Sequence, residues 1–202
     1  MTKRTQDQSS IVPTYGVMTI DQGGSSGVAW ARIRDEGTIA ERLAASPAEW
    51  RGSATLTGHW QVQMRELSEL WFDFRRQCRK AGLPSFLAME DFILTRMKSS
   101  DRKGLYPVWV GAAMYGYRAG LAAGFESGGF GKAETPEVHW VQPSDHMTYA
   151  TDERLKRWGL WVPGREHERD AWRILAFFVA AKKFQTMRAA RARHLARTRM
   201  HT

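Results

Sequence analysis

Between Gly16 and Trp30 the chain reads Gly-Val-Met-Thr-Ile-Asp-Gln-Gly-Gly-Ser-Ser-Gly-Val-Ala-Trp. An apolar run ends in a carboxylate, a glycine- and serine-rich turn follows, and a second apolar run begins. Two such runs joined by such a turn specify a β-hairpin. Alternation along the first strand puts Val17, Thr19 and Asp21 on one face and Met18 and Ile20 on the other. Asp21 therefore stands at a strand tip, beside glycines that let the chain reverse because they tolerate φ > 0. A carboxylate in that place is poised to meet a ligand. An Asp that hydrogen-bonds its own turn is the alternative, and this segment alone leaves both open.

The rest of the chain continues the pattern. Strands are expected over residues 15–21 and 27–34, with a turn at 35–37 and a third strand over 38–43. A connection over 44–53 leads to a helix over 57–81. In that helix Leu67, Leu70, Trp71, Phe74 and Cys78 recur at spacings of three and four as one apolar stripe, and Gly82 supplies the stop. Residues 85–92, Ser-Phe-Leu-Ala-Met-Glu-Asp-Phe, form a short buried strand ending in two acids. Neighbouring strand residues face opposite sides, so Glu90, on the face of Phe86 and Ala88, is the inward acid, and Asp91 either anchors a neighbouring backbone group or lies just outside the site. A basic loop over 94–105 carries Arg96, Lys98, Arg102 and Lys103. A helix rich in small residues is expected over 106–125, a glycine-rich loop over 126–136, a strand over 138–141 that the chain leaves at Pro143, and a short helix over 152–158 with Thr151 as N-cap. Residues 165–178 form a strong helix in which His167 and Asp170, three apart, share a face, and Ala171, Ile174, Leu175 and Phe178 make the buried stripe. From residue 182 to 202 there is no acid, while Lys182, Lys183, Arg188, Arg191, Arg193, Arg197 and Arg199 accumulate among alanines that favour helix.

These limits suit one domain: a flexible tail over 1–13, a folded unit over 14–181 and a basic helical extension over 182–202. A chain of 202 residues with 43% hydrophobic and 25% charged residues can bury a full core. Its net charge of +9 points to a polyanion, most often nucleic acid. Cys78 is the single cysteine, which excludes an intrachain disulfide and a cysteine-based zinc site. The polar start lacks the apolar stretch of a signal peptide and no apolar run reaches membrane-spanning length, so a cytoplasmic location is expected. Most of the tryptophans, Trp71 and Trp172 among them, lie on apolar stripes and belong to the core. Tyr106 and Trp109, after the basic loop, are the better candidates for stacking on bases. His59, His139, His146, His194 and His201 show no ligand spacing and are expected to be structural or surface residues.

Acids thus end apolar elements in three separate segments, at Asp21, at Glu90 and at the His167/Asp170 pair. The order hairpin, helix, strand, helix, strand, helix is that of a ribonuclease H-like α/β domain, a mixed five-stranded sheet with three antiparallel strands first and helices on its faces. The strand of Glu90 then lies beside the first strand, and the last helix passes above. Gathered carboxylates repel and need a cation, and hard oxygen donors select Mg²⁺ or Mn²⁺. Two such ions about 3.5–4 Å apart can activate water and stabilise the leaving oxygen of a phosphodiester.

The Ile20-Asp21-Gln-Gly hairpin, the Met89-Glu90-Asp91 strand end and His167-Glu-Arg-Asp170-Ala171 together resemble the RuvC-type Holliday junction resolvases, most closely their small phage-encoded forms, over residues 15–182. The resemblance implies a metal-dependent endonuclease acting on branched DNA as a homodimer. It implies that Asp21, Glu90 and Asp170 bind two metal ions, and that His167 fills a position held by Asp or His in the family. The basic loop and the extension, through Arg96, Lys98, Arg102, Lys103, Lys182, Lys183, Arg188 and Arg191, would contact DNA. Residues 145–157 depart from the bacterial members of that family by lacking their glycine- and lysine-containing stretch before the last helix, which makes junction selectivity less secure than phosphodiester cleavage. Two other readings compete. The hairpin also resembles the phosphate-binding hairpin of actin-like sugar kinases, but the chain is short for two such domains and shows no second hairpin of the kind. A non-catalytic nucleic-acid-binding protein would bind without cleaving.

Overall fold

The computed structural model describes residues 12–91 and 138–199, with side chains described as far as residue 182. Strand β1, Thr14–Asp21, is buried along almost its whole length and is the central strand. It pairs antiparallel with β2, Ser26–Arg34, in a register that sets Asp21 opposite Gly27. On its other side β1 pairs parallel with β4, Ser85–Glu90, whose register sets Ile20 opposite Met89. The edges are β3, Gly52–Leu56, antiparallel to β2, and β5, Val138–Val141, parallel to β4. The order β3-β2-β1-β4-β5 is the expected mixed five-stranded sheet with three antiparallel strands first.

Period-two alternation divides the core into two layers. Met18, Ile20, Val28, Leu87 and Met89 meet Leu67, Trp71, Phe74 and Cys78 of α2, Trp60–Lys80, on one face. Val17, Ala29, Ala31, Ile33 and Ala88 meet Ala171, Ile174, Leu175 and Phe178 of the last helix, Glu166–Arg199, on the other. Ile174 and Leu175 are fully buried, and each such side chain stabilises the fold by about 1.5–3 kcal/mol. Trp172, Ala176 and Val179 are buried too, because two short helices, Pro143–Tyr149 and Asp152–Arg157, bring Tyr149 and Leu155 onto the same cluster. Among the described residues the α-helices are, in chain order, α1 (Ile39–Ala44), α2, α3 (Pro143–Tyr149), α4 (Asp152–Arg157) and α5 (Glu166–Arg199).

The structure corrects several boundaries. Residues 38–43 are not a strand. Thr38 caps α1, its hydroxyl accepting from Glu41 N–H while the Glu41 carboxylate accepts from Thr38 N–H, a capping box that commits the segment to helix. The third strand lies later, in a stretch expected to be a connection and the approach to α2. Helix α2 begins at Trp60 rather than 57, with His59 as N-cap. Pro143 opens α3 at its first turn, where proline costs nothing. Thr151 takes the N-cap place of α4 without a side-chain cap bond. Helix α5 continues without a break past residue 182 to Arg199. The expectations for residues 1–11 and 92–137, including the basic loop and the small-residue helix, lie outside the described residues. Among the described residues no helix is long and apolar enough to cross a membrane.

Candidate active site

Two parallel neighbours, β1 and β4, end level with each other, one residue beyond the Ile20–Met89 pair. Their terminal carboxylates, Asp21 and Glu90, therefore emerge side by side. Both lie on the α5 side of the sheet, since Asp21 alternates in phase with Val17 and Thr19, and Glu90 with Ala88. Gln22 Nε2 donates to the Glu90 carbonyl at 2.7 Å. Asp91 N–H donates to the Val141 carbonyl, and the Asp91 carboxylate accepts from Gln142 Nε2. Asp91 thus turns away to β5 and fixes the backbone on which Glu90 rides.

Three tethers bring the first turns of α5 over this end of the sheet. The Thr19 hydroxyl donates to the Ala171 carbonyl at 2.7 Å. Glu168, 2% exposed, accepts from Ser53 at 2.6 Å and from Thr55 at 3.1 Å, which docks the helix on β3. Gly27 allows the closest approach, because a Cβ there would lie 1.8 Å from the His167 carbonyl oxygen. The outcome is that His167 Nδ1 reaches Asp21, lying 3.1 Å from Oδ2 in hydrogen-bond contact. Asp170, one turn on, adds its field to both Asp21 and His167.

The electrostatics follow from that crowding. Burial pushes Asp21 up to about 7, Glu90 beside it pushes the same way, and only the His167 bond opposes them. Burial alone would also raise Glu90, yet its carboxyl is held below the ordinary range by His146 facing it and by Asp21 hydrogen-bonded to it. Two carboxyl groups in contact cannot both ionise cheaply, so Asp21 holds a proton more readily than Glu90 does. Burial raises Asp170 as well, against the pull of Arg173. The hydrogen bond to Asp21 raises His167.

Several partners had little signal in the sequence. Arg173, 7% exposed, donates to one oxygen of Asp170, to Asp152 and to the Ala150 carbonyl. Asp170 Oδ1 is thus engaged. His146, expected to be a structural or surface residue, is buried with Nε2 3.8 Å from Glu90 Oε1, an electrostatic contact beyond hydrogen-bond reach. A lone histidine has no spacing to reveal it. Arg173 and Glu168 sit at i+3 and i−2 from Asp170 on a helix already read as functional, and that position was the only available hint.

Of the residues expected to contact DNA, Arg96, Lys98, Arg102 and Lys103 lie outside the described residues. Lys183, Arg188 and Arg191 lie on the distal part of α5, whose backbone is helical. Lys182 points elsewhere: its Nζ is 2.9 Å from the Phe86 ring centroid and 4.1 Å from that of Tyr15. Burial pulls its pKa down to about 8, with Asp35 opposing, so desolvation outweighs the attraction of the rings, which is worth about 0.5–2 kcal/mol. Lysine with a folded pKa below its unfolded 10.5 stabilises the fold least below pH 8 and gains stability as pH rises from about 8 to 10.5. Lys182→Met is accordingly expected to raise Tm by a few degrees at pH 7, with the wild type closing the gap above pH 8; calorimetry across that range checks it.

No protein-family model matches the chain, and no curated protein sequence matches it. Among solved structures it is similar to Thermus thermophilus RuvC in complex with a Holliday junction substrate, at 14% identity over 84% of this chain and 96% of that one, with a TM-score of 0.52. It is similar also to Thermus thermophilus RuvC on its own, at 17% identity over 83% and 96%, with a TM-score of 0.51. The chain shares the RuvC fold.

Proposed function

We propose that the protein is a metal-dependent, structure-selective endonuclease that resolves branched DNA, Holliday junctions above all. The observation that carries this reading is the contact between Asp21 and Glu90 at the ends of adjacent parallel strands, with Asp170 and His167 brought over them by α5. Such a concentration of buried acid needs a cation to offset it. Mg²⁺ and Mn²⁺ suit the donors, which are carboxylate oxygens. Among the described residues no three His, Cys, Asp or Glu side chains converge into a ready cage. That is compatible with Mg²⁺, which commonly takes one or two protein carboxylates and completes its shell with water and substrate phosphate oxygens.

Asp21, Glu90 and the oxygen of Asp170 left over by Arg173 would hold the ions. When bound, two such ions supply an activated water and offset charge on the leaving oxygen. Asp21 lies between Glu90 and His167 and is the residue both partners orient. His167 fixes the Asp21 carboxylate through Nδ1. With its side chain 40% exposed, it is also the member of the cluster most open to substrate. Lys183, Arg188 and Arg191 on α5, together with Arg96, Lys98, Arg102 and Lys103, would neutralise phosphates. A homodimer would present two such sites to a symmetric four-way junction. The neighbouring RuvC structure bound to a Holliday junction supports branched DNA as the substrate class.

The test is incubation of the full chain with synthetic four-way junctions, flaps and linear duplex, in Mg²⁺, Mn²⁺ or EDTA. Paired symmetric nicks on the junction, absent in EDTA, are the expected result. Tight binding of the junction with no cleavage in either metal would instead establish a non-catalytic branched-DNA-binding protein.

A further inference from the structure

Resting on the metal-dependent reading, we propose that His146 is a positioning residue for Glu90. Its imidazole holds the Glu90 carboxylate in the orientation that presents one oxygen to the metal beside Asp21. The proposal starts from an anomaly. His146 is 2% exposed, and neither Nδ1 nor Nε2 has a hydrogen-bond partner. A core histidine normally satisfies at least one nitrogen on a carbonyl or hydroxyl, because an unmet buried polar group destabilises the fold. Here the polar edge of the ring faces acids instead. Nε2 lies 3.8 Å from Glu90 Oε1, and the same ring, after Arg173, opposes the rise that burial imposes on Asp170. The imidazole stands within the field of two members of the cluster, on a short helix that neither of them belongs to.

The surroundings explain why Glu90 needs such a partner. Its backbone is fixed from both sides, by Gln22 on its carbonyl and by Asp91 N–H on Val141. Freedom remains only in the side-chain torsions. The carboxylate interacts with both Asp21 and His146. An oxygen committed to the metal leaves the second oxygen to accept from Nε2–H after a small rotation of either side chain. Metal-ligating carboxylates are themselves held by outer hydrogen bonds, and loss of the outer partner typically weakens metal binding about 10–100-fold. The position of α3 makes the ring available. Pro143 begins the helix after β5 with only Gln142, the N-cap, between them, and the last turn carries His146 into the interior.

The measurement is Mn²⁺ titration by isothermal calorimetry on the full chain, for wild type, Glu90→Gln, His146→Phe and His146→Gln, with circular dichroism as the check on folding. His146→Phe fills the same space without a donor and is expected to weaken Mn²⁺ binding about 10–100-fold. His146→Gln keeps an N–H donor and should recover most of that loss. Cleavage should follow the same order at low Mn²⁺ and converge at saturating Mn²⁺. Equal Mn²⁺ affinity for wild type and His146→Phe overturns the inference, and so does a glutamine no better than phenylalanine, which would mean packing alone. If His146→Phe does not fold, imidazole ¹⁵N spectra of the wild type decide. The His146 resonance, assigned by its absence in His146→Gln, must move on addition of Mg²⁺, and an unmoved resonance overturns the inference. A wild type that binds no Mn²⁺ sinks the nuclease reading itself, whereas a wild type that binds normally while His146→Phe does so equally well sinks only the role of His146.

Discussion

Asp21→Asn is expected to leave a folded protein that still binds junction DNA but cleaves it at least about a thousandfold more slowly. The carboxylate stands at the one point that touches both Glu90 and His167. On the proposed metal-dependent reading, removing this oxygen forfeits several kcal/mol of transition-state charge stabilisation, and about 4 kcal/mol is three powers of ten in rate. Stability should move the other way. Asp21 is pushed up to about 7 from an ordinary 3.8, chiefly by burial. Between those values the folded chain holds the proton that the unfolded chain has released, so this group's contribution to stability falls as pH rises. In EDTA, Asp21→Asn should therefore melt above the wild type at pH 8, and the difference should shrink toward pH 4. Nicking assays with thermal melts at both pH values check the two halves together. Full activity in the variant would remove Asp21 from the site.

Gly27→Ala, a single added methyl group, is expected to cost both stability and activity. The new Cβ would lie 1.8 Å from the carbonyl oxygen of His167 and 2.3 Å from its carbonyl carbon. Those are backbone atoms of a helix pinned by Thr19 and Glu168, and they cannot swing aside as a side-chain end would. Overpacking of this kind costs about 1–3 kcal/mol or more, a fall in Tm of about 2–4 °C per kcal/mol for a chain of this size. The first turn of α5 must shift to relieve the contact, and His167 and Asp170 shift with it. A misplacement of about 1 Å at reacting groups can cost about 100-fold in rate. Gly24→Ala is the control, since a Cβ there meets nothing within 4 Å. If Gly27→Ala cleaves as fast as Gly24→Ala, the close docking of α5 on β2 has no part in the chemistry.

The elements legible in the sequence are those whose own side chains face the core. β1 and β4 declare themselves because apolar residues alternate up to a terminal acid, and the pair His167/Asp170 follows from helical spacing. β3 stayed hidden because it is an edge strand with a polar task. Ser53 and Thr55 serve Glu168, more than a hundred residues away, and only Leu56 is buried. No local pattern encodes a partner that distant. The error at 38–43 has a local remedy: Thr38 followed by Glu41 is a capping signal, and it commits the segment to helix. Arg173 and His146 could not be read, since their significance comes from which acids the tertiary fold sets against them.

One feature of α5 has a mechanical consequence. Its 34 residues form a single rod about 51 Å long at 1.5 Å per residue. The carboxylate of Asp170 sits near one tip, and the backbone of Arg191 lies 21 residues further along the same axis, about 32 Å away. A continuous helix fixes that separation along its axis. If the far end grips a duplex, the strand laid across the acids is measured off at roughly nine base pairs of 3.4 Å from the grip, so that where the backbone is cut would be set by length rather than by reading bases.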